Sequence, residues 1–482
     1  MNKKLVLSTL TLSIALAGCG SDNNTDAPRS SALDVMVPDT YSFTSQFEDF
    51  TDVSSVSYSG QIARQVLIED IKALISSTEL TNLDDRQAAL DMLNAIYSNE
   101  NSDIDATAYS FSKTDTTLTP SPTYGDISTG KDIKGKLAGE DNALRHGDLK
   151  GWATGLDADP TADEFVQYLF GLLADNVVNP LDRTNPVDNV SVLAPHVTEN
   201  GVDLQQLVQK FLLMGVTYSQ GTGDYLSDDL GEGKGILSSA EQKVKDGTAS
   251  AYSSLEHSWD EGFGYFGAAR NYNAYTDLEI RAKEGRAEYN QGFHDTNGDG
   301  LIDLNSEINF AASVNAAKRD VGSADSAPTD FTKTTFDAFL TGRALISQQP
   351  EGYEAALVEQ RDIIVNNWEK TYAATIVHYI NDVLQDMASF DTEDYSFTDH
   401  AKHWSEMKGF ALGLQFNPNA LMSIENFNAV HALFGDQPVL STASPAAIGD
   451  YKTALLDARG IMQQIYSFAD ANIGDENGTN GW

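Results

Sequence analysis

The chain has 482 residues and carries 71 acidic against 31 basic side chains, a formal net charge of −40 at pH 7. A field of that sign repels nucleic acid and anionic lipid, so neither is expected as a partner. Cys19 is the one cysteine, which excludes an intrachain disulfide; stability has to come from a buried core, for which the length is ample. The acidity as a whole reads as a solvated surface suited to salty surroundings, where screening shortens the reach of each charge.

The chain starts with a targeting pattern. Lys3 and Lys4 precede the apolar run Leu5 to Ala17, which is too short to span a bilayer and fits a signal peptide over residues 1–18. Leu16-Ala17-Gly18-Cys19 resembles a bacterial lipobox. By that resemblance Cys19 becomes a lipidated N-terminus, and Gly20 in place of aspartate points to the outer membrane. The expected location is the cell envelope, with the membrane engaged through the lipid anchor. Residues 19–40 are rich in Ser, Asn, Asp and Pro and predict a flexible tether.

From residue 41 to 482 the pattern predicts an all-α helical bundle of two packed lobes, about 41–270 and 271–482, with long loops. Tyr41 to Val56 alternates and reads as extended. Ile62, Val66, Ile71, Leu74 and Ile75 mark a helix from Tyr58 to Ser76. A second helix runs from Asp84 to Tyr97, and Asn99 to Gly139 is a long polar excursion. Asp159-Pro160 gives an N-cap and N1 signal for the next helix. Asp203 with Gln206 can cap another. Gly221 to Lys234 reads as loop, and Ser238 to Trp259 as the helix that ends at His257. Further helices are expected over 310–319, 331–346, 351–387, 400–414, 423–434 and 445–471.

Asp295-Thr296-Asn297-Gly298-Asp299-Gly300-Leu301-Ile302-Asp303 is the most specific motif. Oxygen side chains fall at positions 1, 3, 5 and 9, with glycine at 6, the layout of an EF-hand-like calcium loop in which Leu301 offers its carbonyl. Position 12 is Ser306, with Glu307 one step later, so Glu307 is the candidate for the last ligand. The alternative is an Asp-Asn-Gly turn without an ion.

Two stretches share an order of His, Trp, Glu and Gly-Phe: Glu256-His257-Ser258-Trp259-Asp260-Glu261-Gly262-Phe263 and His400-Ala401-Lys402-His403-Trp404-Ser405-Glu406-Met407-Lys408-Gly409-Phe410. Spacings of three and four place such side chains on one helical face. They predict one polar pocket in which His257, Glu261, His400, His403 and Glu406 hold iron or zinc. The alternative for each is a packed or surface residue. No catalytic residue is assigned: zincin, nucleophile-elbow, phosphate-loop and dinucleotide motifs are all lacking.

Tyr58-Ser59-Gly60-Gln61, the Glu256 to Phe266 block, and Asp295 to Asp303 followed by Asn309-Phe310 and Asn315 to Asp320 resemble the bacterial lipoprotein family catalogued as domain of unknown function 4856. The resemblance runs from about Tyr41 onward and implies an all-helical exported protein with no established activity. His403-Trp404-Ser405-Glu406 is also similar to part of the Gly-x-His-x-x-Glu hallmark of the imelysins, which are linked to iron uptake; Ala401 stands at the glycine position. The expected function is a cell-envelope metal-binding lipoprotein that assists iron or other metal acquisition. The rival expectations are a metallopeptidase-like enzyme and a calcium-stabilised surface scaffold or adhesion partner. Protein partners are not specified by the sequence.

Overall fold

A 36-residue helix, Tyr353–Ala388, is the axis of the fold in the computed structural model. At 1.5 Å per residue it is about 54 Å long. Tyr372, Ala373, Ala374, Thr375, Ile376 and Val377 are buried in succession, more than a full turn, as a helix covered on all sides requires. Its covers are the helices Ala311–Val321, Phe331–Gln348, Phe397–Gly413 and Pro445–Tyr466. The reversal from Phe331–Gln348 into the axis is tight. It needs left-handed backbone at Gln349 (φ 44°) and Gly352 (φ 81°), the second of which glycine adopts without steric cost. The structure describes residues 29–30, 33–99, 103–111, 122–140, 147–181 and 183–482. The signal peptide, Cys19 and the first part of the tether lie outside the described residues.

A second group of helices, Ser59–Ile75, Arg86–Tyr97, Ala162–Val178 and Leu204–Leu212, packs together, and Phe397–Gly413 joins it to the axis. Gly409 and Gly413 permit that junction. A Cβ at Gly409 would lie 2.7 Å from Lys210 Cβ, and one at Gly413 would lie 2.0 Å from Met214 Cβ. Two glycines four apart therefore let the Phe397–Gly413 and Leu204–Leu212 helices approach closely, which sets Glu406 beside Lys210. One cluster of buried side chains runs from Val35 to Trp482, so the two expected lobes share a single core.

The fold is mostly helical, and the strands among the described residues form two short antiparallel pairs. One of them overturns an expected helix. Gln242–Lys245 pairs with Thr248–Ser253 across Asp246-Gly247, both left-handed at φ 51° and 78°, the backbone that a two-residue Asp-Gly hairpin demands. The helix that follows, Ser254–Phe266, begins at a capping box: Ser253 Oγ accepts from Glu256 N while Glu256 accepts from Ser253 N. His257 is thus near the start of its helix and not at its end.

Other expectations shift for similar local reasons. Thr161 with Glu164, not Asp159, caps Ala162–Val178, because only that pair makes the reciprocal box. Part of Gly221 to Lys234 is helical: Leu213–Tyr218 and Gly221–Tyr225 continue the Leu204–Leu212 helix as wide π turns. Pro445–Tyr466 stops before Ala471, at left-handed Ser467. The end of the tether is docked, not loose. Arg29–Ser30 pairs with Met36–Val37, Val35 and Val37 are buried, and the Gln348 side chain bonds both backbone groups of Met36.

Candidate anion-binding cleft

The two His-Trp stretches open onto different parts of the molecule. His257 stacks on Tyr252 at 4.7 Å, and its Nε2 lies 3.6 Å from Glu261 Oε2. Burial first, then the charge of Lys243, pushes its pKa down to about 4, so the ring is neutral at pH 7. Glu261 accepts from Gln61 Nε2 at 2.9 Å. Asp260 turns away from this pair. It accepts from Arg343 Nε at 2.9 Å and from the Tyr41 hydroxyl at 2.8 Å, while Arg343 Nη1 reaches Glu256 at 2.7 Å. Arg343, Glu256 and Asp260 are fully buried, and together they form a closed ion cluster that fixes the helix.

In the second stretch the three candidates have three different surroundings. His400 is fully buried, with Nδ1 3.1 Å from the Tyr395 hydroxyl, and burial followed by the His403 charge pushes its pKa down to about 3. His403 Nδ1 pairs with Asp386 at 2.9 Å. Glu406 receives Lys210 Nζ at 3.1 Å. The cavity lined by His257 and Glu261 has no residue in common with the cavity lined by Glu406. The expected single pocket is corrected by the tryptophans. Trp259 Nε1 donates to Phe339 O and Trp404 Nε1 to the Tyr451 hydroxyl, so each motif buries its indole against a different neighbour.

Among the described residues, no three His, Cys, Asp or Glu side chains stand where they could hold a metal ion together. In the Asp295–Asp303 loop the side chains close on the loop's own amides. Asp295 accepts from Gly298 N and Gly300 N at 2.6 and 2.8 Å, Asn297 from Asp299 N, and Asp299 from Leu301 N. Asp303 takes the Ser306 hydroxyl. Buried Glu307 accepts from Thr296 N and Asp303 N at 2.7 and 2.9 Å, so it fastens the two ends of the loop.

The chemistry concentrates at residues that belong to no sequence motif. A cavity of about 420 Å³ lies between the Ser59–Ile75, Leu204–Leu212, Ala311–Val321, Tyr353–Ala388 and Phe397–Gly413 helices. Lys72, Lys210, Lys318 and Lys402 line it, one from each of four helices, against Glu69 and Glu406. Lys210 is the lysine with an ion pair, and Glu69 is taken by Gln209 Nε2 at 2.8 Å. Lys72, Lys318 and Lys402 make no side-chain hydrogen bond or ion pair among the described residues. Burial lowers the pKa of Lys318 to about 8, helped by the charges of Lys210 and Arg319. Lys318 is exposed to solvent, and it lines this cavity and a neighbouring one. Asn309, Asn315 and Gln206 add polar groups, and Phe310, Val314 and Phe410 give apolar walls.

Beside the cleft, two imidazole–carboxylate pairs sit on adjoining helices: His378 Nε2 with Asp382 at 3.3 Å, and His403 with Asp386. Burial opposes charge on His403, but the Asp386 bond outweighs it and the pKa is raised. Burial raises Asp382 to about 6. Asp386 escaped the sequence reading, as did the lysines: each alone reads as an ordinary surface residue.

Residues 193–429 match a family described as Domain of unknown function (DUF4856). The match takes in Lys210, Lys318, Lys402 and Glu406 and leaves out Glu69 and Lys72. No curated protein and no solved structure gives a match.

Proposed function

We propose that the chain, which belongs to the DUF4856 family, is an exported binding lipoprotein whose cleft takes a small organic anion. One observation carries the reading: four lysines converge on one cavity in a molecule of net charge −40, and three of them make no ion pair among the described residues. Like charges held together in a partly desolvated space repel one another, and an anion that enters removes that cost. Charge-assisted hydrogen bonds are the strong ones, so an entering carboxylate or phosphate gains most from the unpaired ammonium groups. Amide side chains and phenyl walls suit a ligand with an organic body, and the cavity volume is in the usual range for small-molecule sites.

Titration calorimetry with citrate, butyrate and inorganic phosphate tests this. The expected result is binding to the wild type that weakens by about tenfold or more in Lys318→Met with Lys402→Met. Equal heats in both proteins, or no binding of any of the three, would overturn the reading.

A second reading, binding of iron or zinc in support of metal acquisition, is favoured by the His378–Asp382 and His403–Asp386 pairs. Burial and the Arg319 charge hold His378 well below its ordinary pKa, which keeps the ring available as a ligand. The same titration with zinc and ferrous iron decides it. Calcium binding in the Asp295 loop is proposed as a structural addition to either reading.

A further inference from the structure

The cleft does not end at Lys318. A smaller cavity of about 260 Å³ shares Asn315, Lys318 and Tyr379 with the larger one. Its far side holds Arg281, Lys283 and Arg319, and among the described residues no acidic one lines it. Arg319 is 6% exposed, and its Nε and Nη1 atoms find no hydrogen-bond partner among the described residues. The Nε of Arg281 is in the same condition. Asp382 is near enough to act on Arg319 through space but makes no ion pair with it. His378, which also lines this cavity, is neutral at pH 7, so it neither competes as a cation nor supplies a counter-charge.

A buried guanidinium with two idle donors costs free energy unless something answers it. The partner has to be an acceptor, and the cationic neighbours Arg281, Lys283 and Lys318 favour an anionic one. Lys318 stands at the junction of the two cavities, so an anion at Arg319 and an anion among Lys72, Lys210 and Lys402 would lie in one continuous space. Tyr379 and Asn315 flank the passage between them.

On the reading that the larger cavity takes an organic anion, we infer that the ligand is two-headed, with one anionic group in the lysine cavity and a second on Arg319. The body between the heads passes Lys318 and Tyr379. A carboxylate and a phosphoryl-type group share the chemistry that Arg319 needs, three or fewer oxygens carrying negative charge.

The experiment compares three probes of similar chain length: butyrate with one carboxylate, glutarate with two, and 4-phosphonobutyrate with a carboxylate and a phosphonate. Titration calorimetry on the wild type should give at least one two-headed probe an affinity about tenfold or more above that of butyrate. The tighter of the two assigns the head group at Arg319. Arg319→Gln should erase this advantage and leave butyrate binding within about twofold, whereas Lys402→Met should weaken all three. A two-headed advantage below about tenfold in the wild type, or one that survives Arg319→Gln, overturns the inference while the anion reading stands. No binding of any probe removes both. Because Arg319 also anchors Trp482 through its carbonyl, Arg281→Gln serves as a second variant, with the same expected loss if Arg319→Gln does not fold.

Discussion

Lys318 shows how a single side chain links the fold to the proposed ligand. It sits near Lys72, Lys210, Arg319 and Glu406, and its pKa falls to about 8 because burial and three neighbouring cations outweigh one carboxylate. A lysine whose folded pKa is depressed costs stability while it is charged, below about pH 8, and the cost fades as the pH rises towards the ordinary value of 10.5. Anion binding should run in the opposite sense. The charged amine attracts the ligand, so affinity for citrate is expected to fall between pH 7 and pH 9, where Lys318 loses its proton. Lys318→Met should bind more weakly at pH 7 and show a flatter profile across the same range. Calorimetry at pH 7, 8 and 9 checks this, and an identical slope in wild type and variant would show that another group sets the dependence. Glu406 stays ionised throughout, since its bond and charge contact with Lys210 hold it below the usual carboxylate range in spite of burial.

At the level of elements, periodicity and capping carried most of the fold. The helices at Ser59, Arg86, Phe331, Tyr353, Ile424 and Pro445 start within a few residues of where apolar spacing and caps place them, because both signals are local. The failures were local too. The expectation of a helix over 238–259 fails at the Gln242–Ser253 hairpin, although Asp246-Gly247 is a hairpin signal, and the π turns after Leu212 have no sequence mark. The Asp295 loop sits between these cases. Its turn geometry follows from its sequence, and its side chains satisfy the loop's own amides without an ion. Calcium has to draw Asp295, Asn297 and Asp299 off those amides, which makes modest affinity the expectation, about 0.1–1 mM as in other exported sites. At ten times the dissociation constant, calcium then adds about 1.4 kcal/mol of stability. Thermal unfolding with and without calcium should show that gain in the wild type and lose it in Asp295→Ala with Asp299→Ala. A wild-type melting temperature that ignores calcium would leave Glu307 as the closure of an ordinary turn.

On the scale of the whole molecule, the candidate cleft was illegible for a physical reason. Lys72, Lys210, Lys318 and Lys402 lie far apart in the chain on four different helices, and the close approach at Gly409 and Gly413 brings the Lys210 and Lys402 helices together. No spacing rule covers such a meeting, whereas the His-Trp stretches looked like a pair because they are each continuous. The charge balance adds a second consequence. The outer field of a −40 chain opposes the approach of an anion, but at physiological salt it decays over about 8 Å, so the cationic cleft governs at short range. The same field opposes contact with anionic lipid. Among the described residues no helix is long and apolar enough to cross a bilayer. The lipid proposed at Cys19 is the membrane contact that the lipoprotein reading offers. Ten chain steps run from Cys19 to Arg29, a reach of at most about 36 Å. Cys19→Ser should move the protein from the membrane fraction to the soluble fraction, and radiolabelled palmitate should mark the wild type but not the variant. A variant that stays with the membrane and keeps its affinity for citrate would show that a protein contact, not a lipid, holds it there.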